Sequence, residues 1–460
     1  MKNMCGTTSD IISDLPDTII EKILVRMPIR DAVRTSVLSK KWRFNWINIP
    51  VLAFDDTSLV DPYPTFFCQL LPPDQLSIKN RLLATIYHVL LLHRGPILKF
   101  SLSISELKSC SEIDALISIL SNRGIQELTL QIQKGDPHEL PQSLFSCQQS
   151  TYLNLHSCVF KRPTTFKGFP WVVCLELLEV IITADLFETF VSSCPVLEQL
   201  TFESSARFDF NGIDAPNLKV LSLMGIFKSI SVKNAPKVAN FSIHSKAFVG
   251  VVGGGGGKFD WAGLLDGLPV LKSVYGRSIS YGDERKKAGL LRLRMKRNKR
   301  STSDIISYLP SNVTENILKD LPLKDAPEEE TDSEWVKFFR SLPAIEDMHL
   351  DSHLLQILNI PPIPDHATEF LQAQDFSDFS LNKLQEVEIR HFSGAEPEML
   401  FVEILLAHSV VLKKMVIWHE HEMSDKKGFA MVKELTRFPR ASSDAELVID
   451  ANVRLVKLAA

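Results

Sequence analysis

The chain has 460 residues, 45% of them apolar and 23% charged, with a formal net charge of −4. That composition excludes a disordered or collagen-like polymer, and at ~100–200 residues per domain it predicts several folded units. A pI near 6.3 counts against nucleic acid as the main partner, because counterion release needs a basic surplus on the binding face.

No stretch approaches the ~18 continuous apolar residues of a membrane span. The first residues carry no apolar run, and the seven cysteines form no C-x-x-C pair. Reduced, mostly structural thiols and a location in the nucleus and/or cytoplasm are expected.

Residues 1–50 read as a compact helical unit. Leu15-Pro16 puts a proline where the first helical turn has an N–H to spare. Ile20, Ile23, Leu24 and Met27 follow at i, i+3, i+4 and i+7, an apolar stripe that Pro28 ends. A second short helix has Val33 and Val37 on one face. Ser39 is placed to cap a third, in which Trp42 and Trp46 stand one turn apart, Lys40, Lys41 and Arg43 face water, and Pro50 closes the unit. Three helices in so short a segment bury too little surface to stand alone, so a partner surface is expected.

The segment from Asp10-Ile-Ile-Ser-Asp-Leu-Pro through Met27-Pro28, then Asp31-Ala-Val-Arg-Thr-Ser-Val-Leu-Ser-Lys-Lys-Trp to Trp46, resembles the F-box of the plant F-box/LRR/FBD family. The resemblance implies docking on a Skp-type adaptor, which joins the chain to a cullin-RING ubiquitin ligase while the remainder selects a protein substrate. The expected adaptor contact, with the small core behind it, comprises Leu15, Pro16, Ile20, Ile23, Leu24, Pro28, Val37, Leu38 and Trp42. A binding scaffold uncoupled from ubiquitination is the alternative.

Over residues 95–282 a different period appears. A template with apolar residues at +2, +5 and +7 is met from Gly95 (Ile97, Phe100, Leu102), Arg123 (Ile125, Leu128, Leu130), Pro170 (Val172, Leu175, Leu177) and Pro195 (Leu197, Leu200, Phe202). It is met again from Pro216 (Leu218, Leu221, Leu223) and Pro236 (Val238, Phe241, Ile243), with a weaker unit at Gln148 supplying Leu153 and Leu155. Successive starts lie 28, 25, 22, 25, 21 and 20 residues apart, inside the ~20–29-residue range of leucine-rich repeats. Each L-x-L pair is a short strand whose inward residues need a neighbouring repeat to cover them, so the prediction is a solenoid with one parallel sheet. Its outer residues, such as Gln199, Thr201, Val220 and Ser222, form the expected substrate surface.

Gly253 to Gly257 lacks the surroundings of a phosphate loop, since Val252 and Phe259 replace the leading glycine and the hydroxyl. Repeat phrasing resumes at Pro269 with Leu271 and Val274. Residues 283–303 form a basic linker, in which Arg285 to Arg300 hold nine Lys or Arg and no acid. A solvated connection is the plain reading, an import signal or nucleic-acid patch the functional one.

Residues 304–326 repeat Asp10 to Ala32 with 12 identities in 23 positions. This second box is truncated, because Pro327-Glu-Glu-Glu-Thr-Asp stands where the third helix should follow. Trp261 and Trp335 open similar phrases, each running to Leu-Pro and an aliphatic residue two positions on. Together the duplications suggest a tandem fusion of two related copies, whose second tail should pack against the end of the first solenoid.

A repeat-like segment over 335–379 precedes residues 381–450, which resemble the FBD domain that closes this family. There Leu384, Val387 and Ile389 fit the template, Glu398 to His408 reads as an amphipathic helix, Leu412 to Trp418 as a strand, and Lys433 to Arg440 as a helix ending at Pro439. The expected fold class is α/β: a three-helix F-box, a leucine-rich-repeat solenoid with parallel strands, and an FBD-type α/β cap.

No catalytic set is apparent, so no enzyme activity, cofactor or metal is expected. His419 with His421, and His349 with His353 on an expected helix face, are pairs without a third ligand.

Overall fold

A computed structural model of the chain describes residues 12, 14–55, 75–104, 111–132, 137–161, 166, 168–245, 264–265, 267–278, 342, 344–352, 380–419, 425–451 and 454–458. The second box, the basic linker, the glycine run, Trp261, Trp335, His353 and His421 lie outside them.

The N-terminal unit comprises α1 (Asp17–Leu24), α2 (Ile29–Arg34) and two 3-10 turns, Thr35–Val37 and Trp42–Asn48. Pro16 and Pro28 each stand immediately before a helix, and their carbonyls accept the N–H groups of Ile19 and Ile20, and of Asp31 and Ala32. One face of α1 is buried through Ile20 and Leu24, one turn apart, against Ile29, Ala32, Trp42 and Trp46.

Three expectations are corrected in this unit. Ile23 falls off the buried stripe and is exposed, because a helix ending at Leu24 gives the core only an i, i+4 pair. The segment bearing Trp42 and Trp46 is a 3-10 turn rather than an α-helix. Ser39 does not cap it, as its buried Oγ has no hydrogen-bond partner.

The first half of the solenoid runs β1 (Val51–Asp55), α3 (Gln75–Leu92), β2 (Lys99–Ile104), α4 (Ser111–Ser121), β3 (Glu127–Ile132), β4 (His138–Glu139), β5 (Tyr152–His156), β6 (Cys158–Val159) and β7 (Cys174–Leu178). Then come α5 (Ala184–Ser192), β8 (Gln199–Asp214), β9 (Val220–Asn234), β10 (Asn240–Ser245), β11 (Ser273–Ser278), β12 (Asp347–Asp351) and β13 (Glu386–Phe392). The C-terminal part adds α6 (Glu396–His408), β14 (Lys414–His419), α7 (Asp425–Leu435), β15 (Glu446–Ala451) and β16 (Arg454–Leu458).

Fourteen of these strands form one sheet in the order β1-β2-β3-β5-β7-β8-β9-β10-β11-β12-β13-β14-β15-β16. Every neighbouring pair is parallel except β15–β16, and β4–β6 is a separate parallel pair. The template residues account for this stacking. Phe100 and Leu102 lie in register with Leu128 and Leu130, and Leu200 and Phe202 with Leu221 and Leu223, all buried.

From β1 to β13 of this sheet, a carbonyl just before the strand accepts two N–H groups from the next repeat: Pro50 from Leu98 and Lys99, Lys219 from Ala239 and Asn240. In the weaker unit Ser150 takes the first apolar place, and its buried Oγ donates to the Ile125 carbonyl at 3.3 Å. Spacing also sets the back of each repeat. Repeats of 28 and 25 residues hold α4 and α5, whereas the 21- and 20-residue repeats carry β8 and β9 of 16 and 15 residues instead.

The sheet does not stop at the linker. Ser273 pairs with Asp347 and Tyr275 with His349, and the Lys272 carbonyl accepts from Glu346 and Asp347 as in the preceding repeats. Ile345, Met348 and Leu350 repeat the buried template there, as do Leu412, Met415 and Ile417 further on. His349 is therefore a strand residue, not a helical one.

The α6 helix is buried nearly all round through Phe401, Val402, Ile404, Leu405 and Leu406, so it is not amphipathic. The last helix begins at Asp425 and ends at Leu435, four residues before Pro439.

The solenoid also begins inside the N-terminal unit. Ile49, Leu52 and Phe54 are a buried template set, and β1 pairs with β2. The Ile47 carbonyl accepts from Arg94 and Gly95, and His93 Nε2 lies 2.8 Å from the Ile49 carbonyl. A Cβ on Gly95 would meet the Asn48 backbone at 2.9 Å, so only glycine permits this approach.

Candidate functional site

Two surfaces stand out, one on the N-terminal unit and one on the sheet. On the first, the sequence-predicted residues separate into two layers. Ile20, Leu24 and Trp42 are core, Leu15 is half-buried against them, and Pro16, Ile23, Pro28, Val37 and Leu38 are exposed. Val37 is 87% exposed and Leu38 49%.

Ile12, Ile19 and Phe44 extend this surface, and sequence reasoning missed them. The signal was present: they are apolar residues left over once the buried stripe is assigned. Trp42 holds the layer together by donating from Nε1 to the Ile12 carbonyl at 3.0 Å, while Lys41 bonds the Leu15 carbonyl and faces Asp17 at 3.5 Å.

The second surface is the open face of the sheet, where the residue between each inward pair points outward. Its middle carries Tyr152, Asn154, Cys174, Glu176 and Gln199. Asn154 Nδ2 donates to Glu176 Oε2 at 2.6 Å and lies 3.3 Å from the Tyr152 hydroxyl. Burial raises the Tyr152 phenol above its ordinary range.

Thr201, Ser222 and Ser242 continue as a row of hydroxyls, with Ser242 Oγ 2.8 Å from Ser222 Oγ. Then the face rises. Tyr275 and His349 stack at 4.8 Å and 15°, His349 Nδ1 lies 2.9 Å from Glu388 Oε2, and Arg390 Nε donates to Glu388 Oε1 at 2.7 Å. Burial opposes ionisation of Glu388, but the bonds from Arg390 and His349 outweigh it and hold the carboxyl below its usual range.

Neither surface suggests covalent chemistry. Burial pushes the Cys147, Cys158 and Cys194 thiols up to about 12 and Cys174 to about 11, away from the thiolate a nucleophile needs. Among the described residues no group of three His, Cys, Asp or Glu could hold a metal ion, and no helix is long and apolar enough to cross a membrane.

Known protein families match three parts of the chain. A family model for the F-box domain matches residues 12–50, one for the LRR repeats of FBD-associated F-box protein At5g56370 matches 113–254, and one for FBD matches 380–417. F-box/FBD/LRR-repeat protein At1g13570 of Arabidopsis thaliana is 33% identical over 455 residues, covering 96% of this chain and 99% of the relative. The chain belongs to the F-box/FBD/LRR-repeat family.

Two further Arabidopsis thaliana relatives, FBD-associated F-box protein At5g22730 and F-box/FBD/LRR-repeat protein At2g26030, are each 24% identical over 96% of this chain, covering 94% and 99% of their own lengths. The matched F-box is the unit bearing the exposed apolar layer. The matched repeats and FBD contribute strands to one continuous sheet, so the chain has two surfaces, an apolar one at the N-terminus and a polar, aromatic one on the sheet.

Proposed function

We propose that the chain is the substrate-recognition subunit of an SCF-type ubiquitin ligase, with the F-box docking a Skp-type adaptor, the adaptor joining a cullin, and the LRR and FBD strands holding a protein substrate. The observation that carries this reading is the apolar layer of Val37, Leu38, Ile23, Pro16 and Pro28 left uncovered on a unit whose own core is already filled by Ile20, Leu24, Trp42 and Trp46. A few well-packed anchors that lose their water on docking carry most of the energy of such an interface.

The chain itself then performs no chemistry; ubiquitin transfer belongs to other subunits. The test is reconstitution. The full chain should co-migrate with a Skp-type adaptor and cullin in size-exclusion chromatography, and the chain carrying Val37→Ala with Leu38→Ala should not. Capture of cellular proteins without recruitment of the adaptor would instead favour the uncoupled scaffold.

A further inference from the structure

We propose that the open face of the sheet holds an extended basic segment of the captured protein, with two cationic side chains seated at acidic, aromatic positions five strand steps apart. This rests on the receptor reading above and names the chemistry of what the receptor takes.

The first position is Glu176 on β7. Its carboxylate receives Asn154 Nδ2 at 2.6 Å and Cys174 Sγ at 3.9 Å, and among the described residues no Lys, Arg or His pairs with it. Asn154 is only 5% exposed although it stands on the open face, and its Oδ1 has no donor. A buried acceptor without a donor is costly. Tyr152 borders the position, and Trp171, exposed, lies three residues before β7.

The second position is formed by β11, β12 and β13. Tyr275, 40% exposed, presents a ring backed by His349. Asp347 and Glu386 lie directly in register, where like charges repel. Asp347 receives only the Ser273 hydroxyl at 3.4 Å, and neither carboxylate makes an ion pair among the described residues. Arg390 is committed to Glu388, and Lys414, next in register to Glu386, makes no ion pair with it. A guanidinium or ammonium group seated over the Asp347–Glu386 pair on β12 and β13 would gain two charged acceptors, with the Tyr275–His349 stack on the neighbouring strand as an aromatic wall.

Between the two positions the hydroxyls of Thr201, Ser222 and Ser242 keep the face low, so an extended backbone can cross it. Five strand steps from β7 to β12 span about 24 Å at ~4.8 Å per step, which an extended chain covers in about seven residues.

The experiment uses the full-length protein and fluorescence anisotropy with labelled peptides of one composition: two arginines seven residues apart, the same two adjacent, and two aspartates seven apart, all in a Gly/Ser/Ala background. The spaced-arginine peptide should bind at least tenfold tighter than the adjacent one, and the aspartate peptide should not bind. Glu176→Gln, and Asp347→Asn with Glu386→Gln, should each cost about tenfold while circular dichroism stays native. Glu434→Gln, which removes an exposed acid on α7, should change nothing.

Equal binding of the two arginine arrangements, or an equal loss with Glu434→Gln, would show that only net charge is read and would overturn the proposal. Adaptor binding is measured on the same preparations. Selective peptide binding without adaptor binding supports the present inference and sinks the ligase reading, whereas adaptor binding without peptide selectivity sinks the present inference alone.

Discussion

Replacing Val37 and Leu38 by alanine should abolish tight adaptor binding without weakening the fold. Val37→Ala removes two methyl-sized groups from a residue 87% exposed, and Leu38→Ala removes three from one 49% exposed. At ~0.8 kcal/mol per group scaled by that exposure, covering them on docking contributes about 1.4 and 1.2 kcal/mol. The double variant should therefore lose ~2.6 kcal/mol, roughly 80-fold in Kd.

Trp42→Ala is the contrast. That indole is 3% exposed and bonds the Ile12 carbonyl, so its loss should cost ~3–5 kcal/mol of stability. Calorimetry of the adaptor titrated into each chain, with thermal melts alongside, separates the two effects. If the Val37/Leu38 variant melts like the parent and binds the adaptor as tightly, the docking face has been misassigned.

Three other outcomes can be stated. Phe190 lies at the centre of five packed rings, with Phe145, Phe160, Phe166 and Phe169 at 5.4–6.5 Å, so Phe190→Ala should cost ~3–5 kcal/mol in urea unfolding; a loss below ~1 kcal/mol would contradict that packing. Glu398 is buried, and burial pushes its carboxyl up more than the bonds from Ser393, Gly394 and Ala395 pull it down. Its folded value thus lies above its unfolded one, and the stability it contributes in acid is lost as pH rises through the folded value; Glu398→Gln should remove that decline in denaturant melts between pH 4 and 7. A fragment of residues 301–334 should not bind the adaptor, because Glu328, Glu329, Glu330 and Asp332 occupy the place of the third helix and burying them unpaired is costly; calorimetric binding within tenfold of the first box would refute this.

The solenoid was legible because its period is a packing constraint: Leu200, Phe202, Leu221 and Leu223 must all be inward, and all are. The box was less so. Ile20 and Ile23 look alike in a stripe of four, and only the point where α1 stops decides which is core. The first repeat, Ile49 with Leu52 and Phe54, was hidden because its opening apolar residue sits inside the box, so that neither pattern claimed it. The helical reading of His349 failed since a strand of five residues offers too few positions to reveal its period. The Tyr275–His349 stack was unreadable for another reason, as the 73 residues between the partners carry no local trace of the pairing.

The joint between Gly95 and the Asn48 backbone has a consequence for reach. With Ile49 serving both the box and the first repeat, the box and the sheet share one core, and the solenoid is an arm whose length is counted in strands. From β1 to β12 there are nine steps, about 43 Å at ~4.8 Å each. Each strand added to the sheet lengthens the arm by one step. A ligand seated one strand further along the sheet is ~5 Å farther from the box, and turned by one increment of sheet twist.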